Sequence, residues 1–223
     1  MTIICLEGAS GIGKSTAADF MEKEYGYVRI PEVNELFDRP SSEPDDWYFQ
    51  MQIKRWEIAR NESVSGKVAI LDGDHLQPVW YNWIFDHLNF QPVENVLDFY
   101  SKAFRRRELE FPDAYVVLHL GIDELISRKE NDKIRKRSNF EMHLRLIEPQ
   151  RNYFEELRSG GHSGIRFIEA TSPNEIADFC HSLHHGNIAS NVQKPQFDIA
   201  EAFIRSKVTS KGMGPNFSNS YLR

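Results

Sequence analysis

A short segment near the amino terminus combines glycine, lysine and serine at a spacing that suits phosphate binding. The segment from Gly8 to Ser15 fits the pattern G-x-x-x-x-G-K-[ST], and Thr16 follows it directly. Its three glycines let the backbone turn so that successive N–H groups point inward at a phosphate. The segment is therefore predicted to bind the phosphates of ATP or a related nucleoside triphosphate.

The last residues of this segment match the charges of a magnesium-bound nucleotide. Lys14 is predicted to bridge the β- and γ-phosphates, while Ser15 offers its hydroxyl to Mg²⁺ and Thr16 assists from further out. The helix expected to begin here adds the positive end of its dipole. The predicted nucleotide-binding residues are Gly8, Ala9, Ser10, Gly11, Ile12, Gly13, Lys14, Ser15 and Thr16.

A magnesium site also needs an acidic group near the loop, usually at the end of a neighbouring strand. The apolar run 68–71 is followed by Asp72, Gly73 and Asp74. Asp72 is predicted to serve the metal, and Asp74 is the competing choice because both acids lie on one turn. Alternatively, either carboxylate caps the helix that follows.

Basic side chains are concentrated in one later stretch of the chain. Six of them lie close together, at Arg128, Lys129, Lys133, Arg135, Lys136 and Arg137. Phosphoryl transfer spreads negative charge over the moving group, and an arginine segment that closes over this group stabilises the charge and excludes water. Residues 128–138 are therefore predicted to form a lid. The alternative is a solvated helix face that carries paired charges.

A further acid, Glu32, follows the second apolar run in the sequence Ile30-Pro31-Glu32. The carboxyl ends of parallel strands form the ligand-binding edge of a sheet, where a carboxylate can accept a proton from an attacking hydroxyl. Glu32 is thus a candidate general base. An exposed loop acid or a helix N-cap is the alternative interpretation.

Short apolar runs rich in β-branched residues alternate with segments of helical length. Strands are predicted at 3–6, 27–30, 68–71, 115–120 and 165–168. The first helix is expected to end at Gly26, and others are predicted over 45–61, 80–87 and 93–109. This alternation predicts an α/β fold, a three-layer sandwich around a parallel sheet of about five strands. Pro149 is expected to kink a helix or to open a new one.

The composition indicates one soluble globular domain, with 40% hydrophobic and 27% charged residues. The net charge of −6 argues against a protein that wraps a nucleic-acid polymer. No apolar stretch approaches the ~20 residues of a membrane-spanning helix. Only Cys5 and Cys180 are present, which is too few for a disulfide framework. We therefore expect a cytoplasmic protein that has no membrane partner.

The carboxyl-terminal part of the chain differs in composition from the rest. Residues 1–185 are predicted to form one domain that contains the phosphate-binding loop (the P-loop domain). Residues 186–223 are predicted to form a polar tail rich in Asn, Ser, Gln and Gly. One short amphipathic stretch around Ile199, Phe203 and Ile204 is the only folding signal in this tail. The tail is expected either to pack on a partner or to be mobile.

The order of these features resembles the deoxynucleoside kinases and, more distantly, the thymidylate kinases. The Glu-Gly start of the loop, the Pro-Glu after the second strand, Phe49-Gln50 on the next helix, the acid after the third strand and the arginine segment match loosely over residues 1 to about 158. The resemblance implies that Glu32 activates a nucleoside hydroxyl, that Gln50 pairs with the base edge, and that Phe49 helps to form the base pocket. It also implies that the lid arginines are Arg128, Arg135 and Arg137.

One departure from that family lies after the third strand. The family usually has acid-Arg-Ser or Asp-Arg-Tyr there, and this chain has Asp72-Gly73-Asp74. A second acid repels a monophosphate more strongly than a neutral hydroxyl. This difference favours a nucleoside or another uncharged alcohol as the acceptor over a nucleotide.

Together these features predict an ATP-dependent kinase that phosphorylates a hydroxyl of a nucleoside-like small molecule, with ATP and Mg²⁺ as cofactors. Lys14 and Glu32 are the catalytic residues expected beside the lid arginines. A kinase for another alcohol, such as an antibiotic or a metabolite, or for a nucleotide is an alternative. An NTP-hydrolysing switch is an alternative from a different class. The sequence leaves open whether ATP or GTP is the donor and whether the chain forms a homodimer.

Overall fold

The computed structural model describes residues 2–88, 90–131, 140–186 and 197–209. Within these residues, five parallel strands form one sheet in the order β2-β3-β1-β4-β5. The strands are β1 Thr2–Glu7, β2 Val28–Ile30, β3 Val68–Asp72, β4 Ala114–His119 and β5 Ile165–Glu169. The predicted α/β class and the parallel sheet of about five strands are confirmed.

Helices connect the strands and end close to the predicted positions. They are α1 Lys14–Tyr25, α2 Val33–Leu36, α3 Trp47–Val64, α4 Gln77–Ile84, α5 Val93–Arg105, α6 Ile122–Asn131, α7 Phe140–Leu144, α8 Ile147–Ser159, α9 Pro173–His185 and α10 Asp198–Thr209, with a 3₁₀ turn at Asp86–Leu88. Helix α4 begins three residues before the predicted start at Trp80, because Pro78 fits its first turn. In the described part of the chain, no helix is both long and apolar enough to cross a membrane.

The central strand β1 shows how the core is divided between the two faces of the sheet. All six of its residues are buried. Ile3 and Cys5 join the apolar cluster formed with α3, α4, α5, α8 and α10, while Ile4 and Leu6 join the cluster formed with α1 and α9. Because successive side chains of a strand point to opposite faces, a strand covered on both sides is apolar throughout. The three-layer arrangement is therefore confirmed.

Pro149 and the amphipathic stretch of the tail both have defined places in the fold. Helix α7 ends at Leu144, and Pro149 lies in the first turn of α8, so this proline opens a new helix instead of kinking a longer one. The amphipathic stretch of the tail forms α10, whose Phe203 and Ile204 are buried in the larger apolar cluster. The tail helix thus packs on the domain.

The register of the sheet brings several strand ends to one edge. Leu6 of β1 pairs with Asp72 of β3, and Ile30 of β2 pairs with Leu71. All strands run in the same direction, so the segments that follow β1, β2 and β3 leave the sheet side by side. The phosphate-binding loop, Glu32 and Asp72 therefore meet at this edge.

Candidate active site

A cavity of about 280 Å³ opens at the carboxyl edge of the sheet. The phosphate-binding loop forms part of its lining, and residues from the other connections contribute most of the rest. The lining residues are Glu7, Gly8, Ser10, Gly11, Ile12, Gly13, Lys14, Ser15, Thr16, Glu32, Glu35, Asp72, Gln77, Trp80, His143, Leu146 and Gln150. The structure thus brings most of the predicted loop together with Glu32 and Asp72.

The phosphate-binding loop lies close against the sheet at its first glycine. Gly8 has a φ angle of +143°, and a Cβ atom there would lie 2.6 Å from the carbonyl oxygen of Leu118. A side chain is therefore excluded at this position. At the other end of the loop, Nζ of Lys14 donates hydrogen bonds to the carbonyl oxygens of Gly8 at 2.6 Å and Ala9 at 3.3 Å. The ammonium group is thereby held over the loop.

Glu7, the last residue of β1, has a carboxylate that is buried beneath the loop. One of its oxygens accepts hydrogen bonds from the N–H of Gly8 at 2.7 Å and from Nε2 of Gln150 at 3.2 Å. The other oxygen accepts from the N–H of Asp74 at 2.7 Å. Burial raises the pKa of Glu7, although the charge of Lys14 and the two backbone donors act against this. The carboxylate joins the phosphate-binding loop to the connection after β3 and to α8.

Asp72 combines one fixed carboxylate oxygen with one that is available. Its Oδ2 accepts hydrogen bonds from Nε of Arg29 at 3.1 Å and from Nη2 at 2.7 Å. Its Oδ1 is buried and has no hydrogen-bond partner among the described residues. Arg29 also forms two hydrogen bonds with Glu35, at 2.9 and 2.8 Å. Burial lowers the pKa of Arg29, but these carboxylates outweigh burial and raise it, so the guanidinium stays charged.

Asp74 faces the protein interior, unlike Asp72. Its carboxylate accepts hydrogen bonds from the N–H of Leu76 at 3.0 Å, the hydroxyl of Tyr115 at 3.0 Å and Nε1 of Trp80 at 3.1 Å. Asp74 does not line the cavity, although Trp80 does. Of the two acids that the sequence leaves in competition, Asp72 is the one at the cavity, and Asp74 orients the indole ring of Trp80.

The carboxylate of Glu32 lies directly against the backbone of the connection after β3. Glu32 occupies the N-cap position of α2. A Cβ atom at Gly73 would be 3.3 Å from Oε1 of Glu32, and Gly73 has a φ angle of +86°. The buried Arg55 donates from Nη2 to the carbonyl oxygens of Asp72 at 3.1 Å, Gly73 at 3.2 Å and Ile30 at 3.4 Å. Arg55 therefore holds together the two strand ends that carry Glu32 and Asp72.

One wall of the cavity carries no charged side chain. Gln77 and Trp80 of α4, His143 of α7 and Gln150 of α8 contribute to it. Burial and the nearby charge of Lys14 lower the pKa of His143 to about 4, so its imidazole is neutral near pH 7. The indole N–H of Trp80 donates to Asp74 and the amide of Gln150 to Glu7, so this wall is uncharged and part of its hydrogen-bonding capacity is used within the protein.

Two residues that the sequence predicts for the acceptor lie outside this cavity. Phe49 is buried, with its ring centroid 5.3 Å from that of Phe99. Gln50 is exposed, and its amide donates to Asp46 of the preceding turn at 3.2 Å. The helical period of α3 explains the difference, because it turns Phe49 and Gln52 into the protein and Gln50 toward solvent.

The basic segment is described only in part. Nη1 of Arg128 donates to the carbonyl oxygen of Ile12 at 3.2 Å, and Nη2 donates to that of Ala170 at 2.8 Å. Arg128 therefore contacts the back of the phosphate-binding loop and does not line the cavity. Arg135 and Arg137 lie outside the described residues.

Several residues that shape the cavity were not identified from the sequence. Glu7 directly precedes Gly8, so its position in the motif was the available signal. Arg29 lies inside a strand and His143 on a short helix, and neither belongs to a recognisable spacing pattern. Their roles depend on which strands are neighbours and how the helices pack, which only the tertiary structure specifies.

The buried Asp74 leads to a prediction about stability and pH. Burial, together with the charge of Glu7, raises the pKa of Asp74 from 3.8 to about 7. The folded protein therefore binds more protons at this site than the unfolded chain between about pH 4 and 7, so its contribution to the free energy of unfolding falls as pH rises through this window. We expect Asp74→Asn to remove this fall, which is on the order of 1–4 kcal/mol.

Urea unfolding of the wild type, Asp74→Asn and the exposed-site control Asp98→Asn between pH 4.5 and 7.5 measures this effect. The free energy of unfolding of Asp74→Asn should improve relative to the wild type as pH rises, whereas that of Asp98→Asn should keep a constant offset. A constant offset for Asp74→Asn as well would contradict the prediction.

Solved structures with the same architecture are found among nucleotide and nucleoside kinases. Thymidylate kinase from Candida albicans superposes with a TM-score of 0.57 at 15% identity, covering 87% of this chain and 97% of that one. Deoxyadenosine kinase from M. mycoides, determined with dCMP and dCDP, gives 0.53 at 17% identity over 83% of this chain and 99% of that one. Its structure with dATP gives 0.53 at 16% identity over 82% and 100%.

No family model and no curated protein sequence matches this chain. The similarity to the two kinases therefore lies in the arrangement of strands and helices, at a sequence identity of 15–17%. The resemblance that the loop, the Pro-Glu and the later motifs indicate is confirmed at the level of the fold. The chain has the architecture that thymidylate kinase and deoxyadenosine kinase share.

Proposed function

We propose that this protein is an ATP-dependent kinase that transfers the γ-phosphate to a hydroxyl of a nucleoside-like small molecule. The observation that carries the proposal is that the phosphate-binding loop and Glu32 line the same cavity. A donor phosphate on the loop and an acceptor hydroxyl beside Glu32 would be neighbours, as phosphoryl transfer requires. Thymidylate kinase and deoxyadenosine kinase, which have the same fold, support the proposal of a kinase.

The residues of the loop provide the donor site in this proposal. The backbone from Gly8 to Thr16, with Ala9 at its buried turn, would bind the phosphates, and Lys14 would exchange its carbonyl partners for phosphate oxygens. An ammonium group that already lies over the loop needs little rearrangement to do so. Positioning and charge would supply most of the catalysis, because this transfer demands little covalent chemistry from the protein.

Two of the lining residues fit a magnesium ion. Ser15 offers a hydroxyl at the loop, and Asp72 offers Oδ1, a buried carboxylate oxygen with no hydrogen-bond partner among the described residues. Hydroxyl and carboxylate oxygens are the ligands that Mg²⁺ prefers. When bound, the ion would neutralise charge on the β- and γ-phosphates. Arg29, by fixing Oδ2, leaves Oδ1 as the oxygen of Asp72 that serves the metal or its water.

The charges of the cavity favour an acceptor without a phosphate. Its described lining includes four carboxylates, those of Glu7, Glu32, Glu35 and Asp72, against the single cation Lys14. A monophosphate next to these acids would be repelled, and Arg29 is already bound by two of them. A nucleoside hydroxyl carries no such penalty. Glu32 would accept the proton of that hydroxyl as it attacks.

The lid also belongs to the proposal. Arg135 and Arg137 would close over the transferring phosphoryl group and stabilise its charge. Arg128 could join them only by exchanging the carbonyl oxygens of Ile12 and Ala170 for phosphate oxygens. Arg128 remains the third lid arginine of the proposal, on the condition that it makes this exchange when ATP binds.

The direct test of this function is ADP release in the presence of Mg-ATP and a panel of nucleosides, nucleoside monophosphates and simple alcohols. We expect ADP to form only with an acceptor, and kcat/KM for the best nucleoside to exceed that for its monophosphate by at least tenfold. Lys14→Ala should lower the nucleoside-dependent rate by orders of magnitude, which excludes a contaminating kinase.

Three outcomes would contradict the proposed function in different ways. Phosphate release at the same rate without any acceptor would indicate a hydrolysing switch. A preference for a monophosphate would contradict the neutral acceptor but keep the kinase. Wild-type turnover by Lys14→Ala at saturating Mg-ATP would contradict the role of the loop.

The role of Glu32 gives a prediction of its own. Glu32→Gln keeps the size of the side chain but removes most of its basicity, so acceptor phosphorylation should fall while the Kd of Mg-ATP stays within about twofold. A positioned general base contributes roughly 10²- to 10⁴-fold, and a loose transition state makes the loss smaller.

The comparison that isolates this role is between two rates of the same variant. Glu32→Gln should depress acceptor phosphorylation far more than the slow hydrolysis of ATP without acceptor. Asp46→Asn serves as the control, because Asp46 is an exposed acid that does not line the cavity. This substitution should leave both rates unchanged. An equal loss of both rates in Glu32→Gln would show that Glu32 is not the base for the acceptor.

A further inference from the structure

The helix of the polar tail, α10, is docked on two of the helices that form the uncharged wall of the cavity, α4 and α8. It packs against α8, α4 and α5. Phe197, which directly precedes the helix, is buried, and so are Ala200, Phe203 and Ile204 within it. The ring of Phe197 stacks on Phe104 of α5 with centroids 4.8 Å apart. Ordered packing of this kind means that the tail helix is a component of the domain.

Phe203 packs against both α4 and α8. Its ring centroid is 5.5 Å from that of Trp83 on α4 and 6.2 Å from that of Tyr153 on α8. Trp83 lies three residues after Trp80, and Tyr153 lies three residues after Gln150, so each contact is one helical turn from a residue of the cavity. One side chain of α10 thus touches two of the three helices that carry the wall, α4 and α8.

We propose that α10 acts as a clamp that positions the uncharged wall of the cavity, where the acceptor would bind, with Phe203 as the positioning residue. Holding Trp83 and Tyr153 against one ring fixes α4 and α8 relative to each other, and with them Trp80 and Gln150. The loop packs with α1 and α9 in the apolar cluster on the other face of the sheet, and α10 contributes no residue to that cluster. The loop is linked to Gln150 through Glu7, a contact that does not involve Phe203. We therefore expect the clamp to act on the acceptor more than on ATP, and it rests on the proposed function.

Apolar packing holds α10 on α4 and α8, although two buried polar groups at this contact reduce its stability. Nε1 of Trp83 and the hydroxyl of Tyr153 are buried and have no hydrogen-bond partner among the described residues. Burying such groups without partners costs free energy. An ion pair between Arg205 of α10 and Glu94 of α5 lies at the exposed edge. The ring of Phe203 is accordingly the contact whose removal should loosen the two wall helices most.

The test compares Phe203→Ala with Leu183→Ala, a deletion of a buried apolar side chain on α9 across the sheet. Both variants should lower Tm. Only Phe203→Ala should raise the acceptor KM, by about tenfold, because displacements of about 1 Å in a positioning wall have effects of that order or larger. Its KM for Mg-ATP should stay within about twofold. Phe203→Leu, which keeps an apolar side chain, should recover most of the acceptor KM.

A second readout keeps the clamp testable apart from the activity. Hydrogen exchange of the amides in α4 and α8 should be faster in Phe203→Ala than in Leu183→Ala at matched stability. A wild type without kinase activity would overturn the proposed function, and hydrogen exchange would still decide the clamp.

Two results would overturn the clamp itself. One is an acceptor KM that changes equally, or not at all, in Phe203→Ala and Leu183→Ala of an active enzyme. The other is equal exchange in the wall helices of both variants. If Phe203→Ala does not fold, Phe203→Val, which also lacks the ring but leaves a smaller void, is compared with Leu183→Ala in its place, and a rise in acceptor KM confined to Phe203→Val is then the expected result.

Discussion

Glu7 ends the central strand of the sheet, and its carboxylate accepts hydrogen bonds from the phosphate-binding loop, from the connection after β3 and from α8. A carboxylate with 2% exposure is costly to bury unless such donors surround it. Because the donors belong to three separate segments, satisfying this one group fixes those segments relative to one another. The donor loop, Asp72 and the wall at Gln150 are therefore parts of one rigid arrangement.

The same edge of the sheet concentrates negative charge, and the structure compensates for it in an ordered way. Arg29 pairs with Asp72 and Glu35 from within β2, while the partners of Arg55 among the described residues are carbonyl oxygens and Gln52. The two guanidinium groups hold the strand ends but are occupied by protein partners. Among the described residues that line the cavity, Lys14 is therefore the only lysine or arginine.

The sequence predicts the features that depend on local pattern. The apolar runs locate all five strands, and the loop motif locates the segment that lines the cavity, because glycine spacing and β-branched composition act within a few residues. The family resemblance suggests Gln50 for the acceptor, whereas the structure turns its side chain to solvent, two positions from the buried Gln52 on α3. The clamp by α10 and the pairing of Arg29 depend on contacts between distant segments, which no local pattern specifies.

Phosphorus NMR of the protein with Mg-ATP and its preferred nucleoside measures most directly where the γ-phosphate goes. A donor loop and a carboxylate that share one cavity predict a new phosphomonoester signal, equal in amount to the ADP formed and absent without the nucleoside. Inorganic phosphate as the only new product, formed at the same rate with and without the nucleoside, would contradict phosphoryl transfer to a hydroxyl.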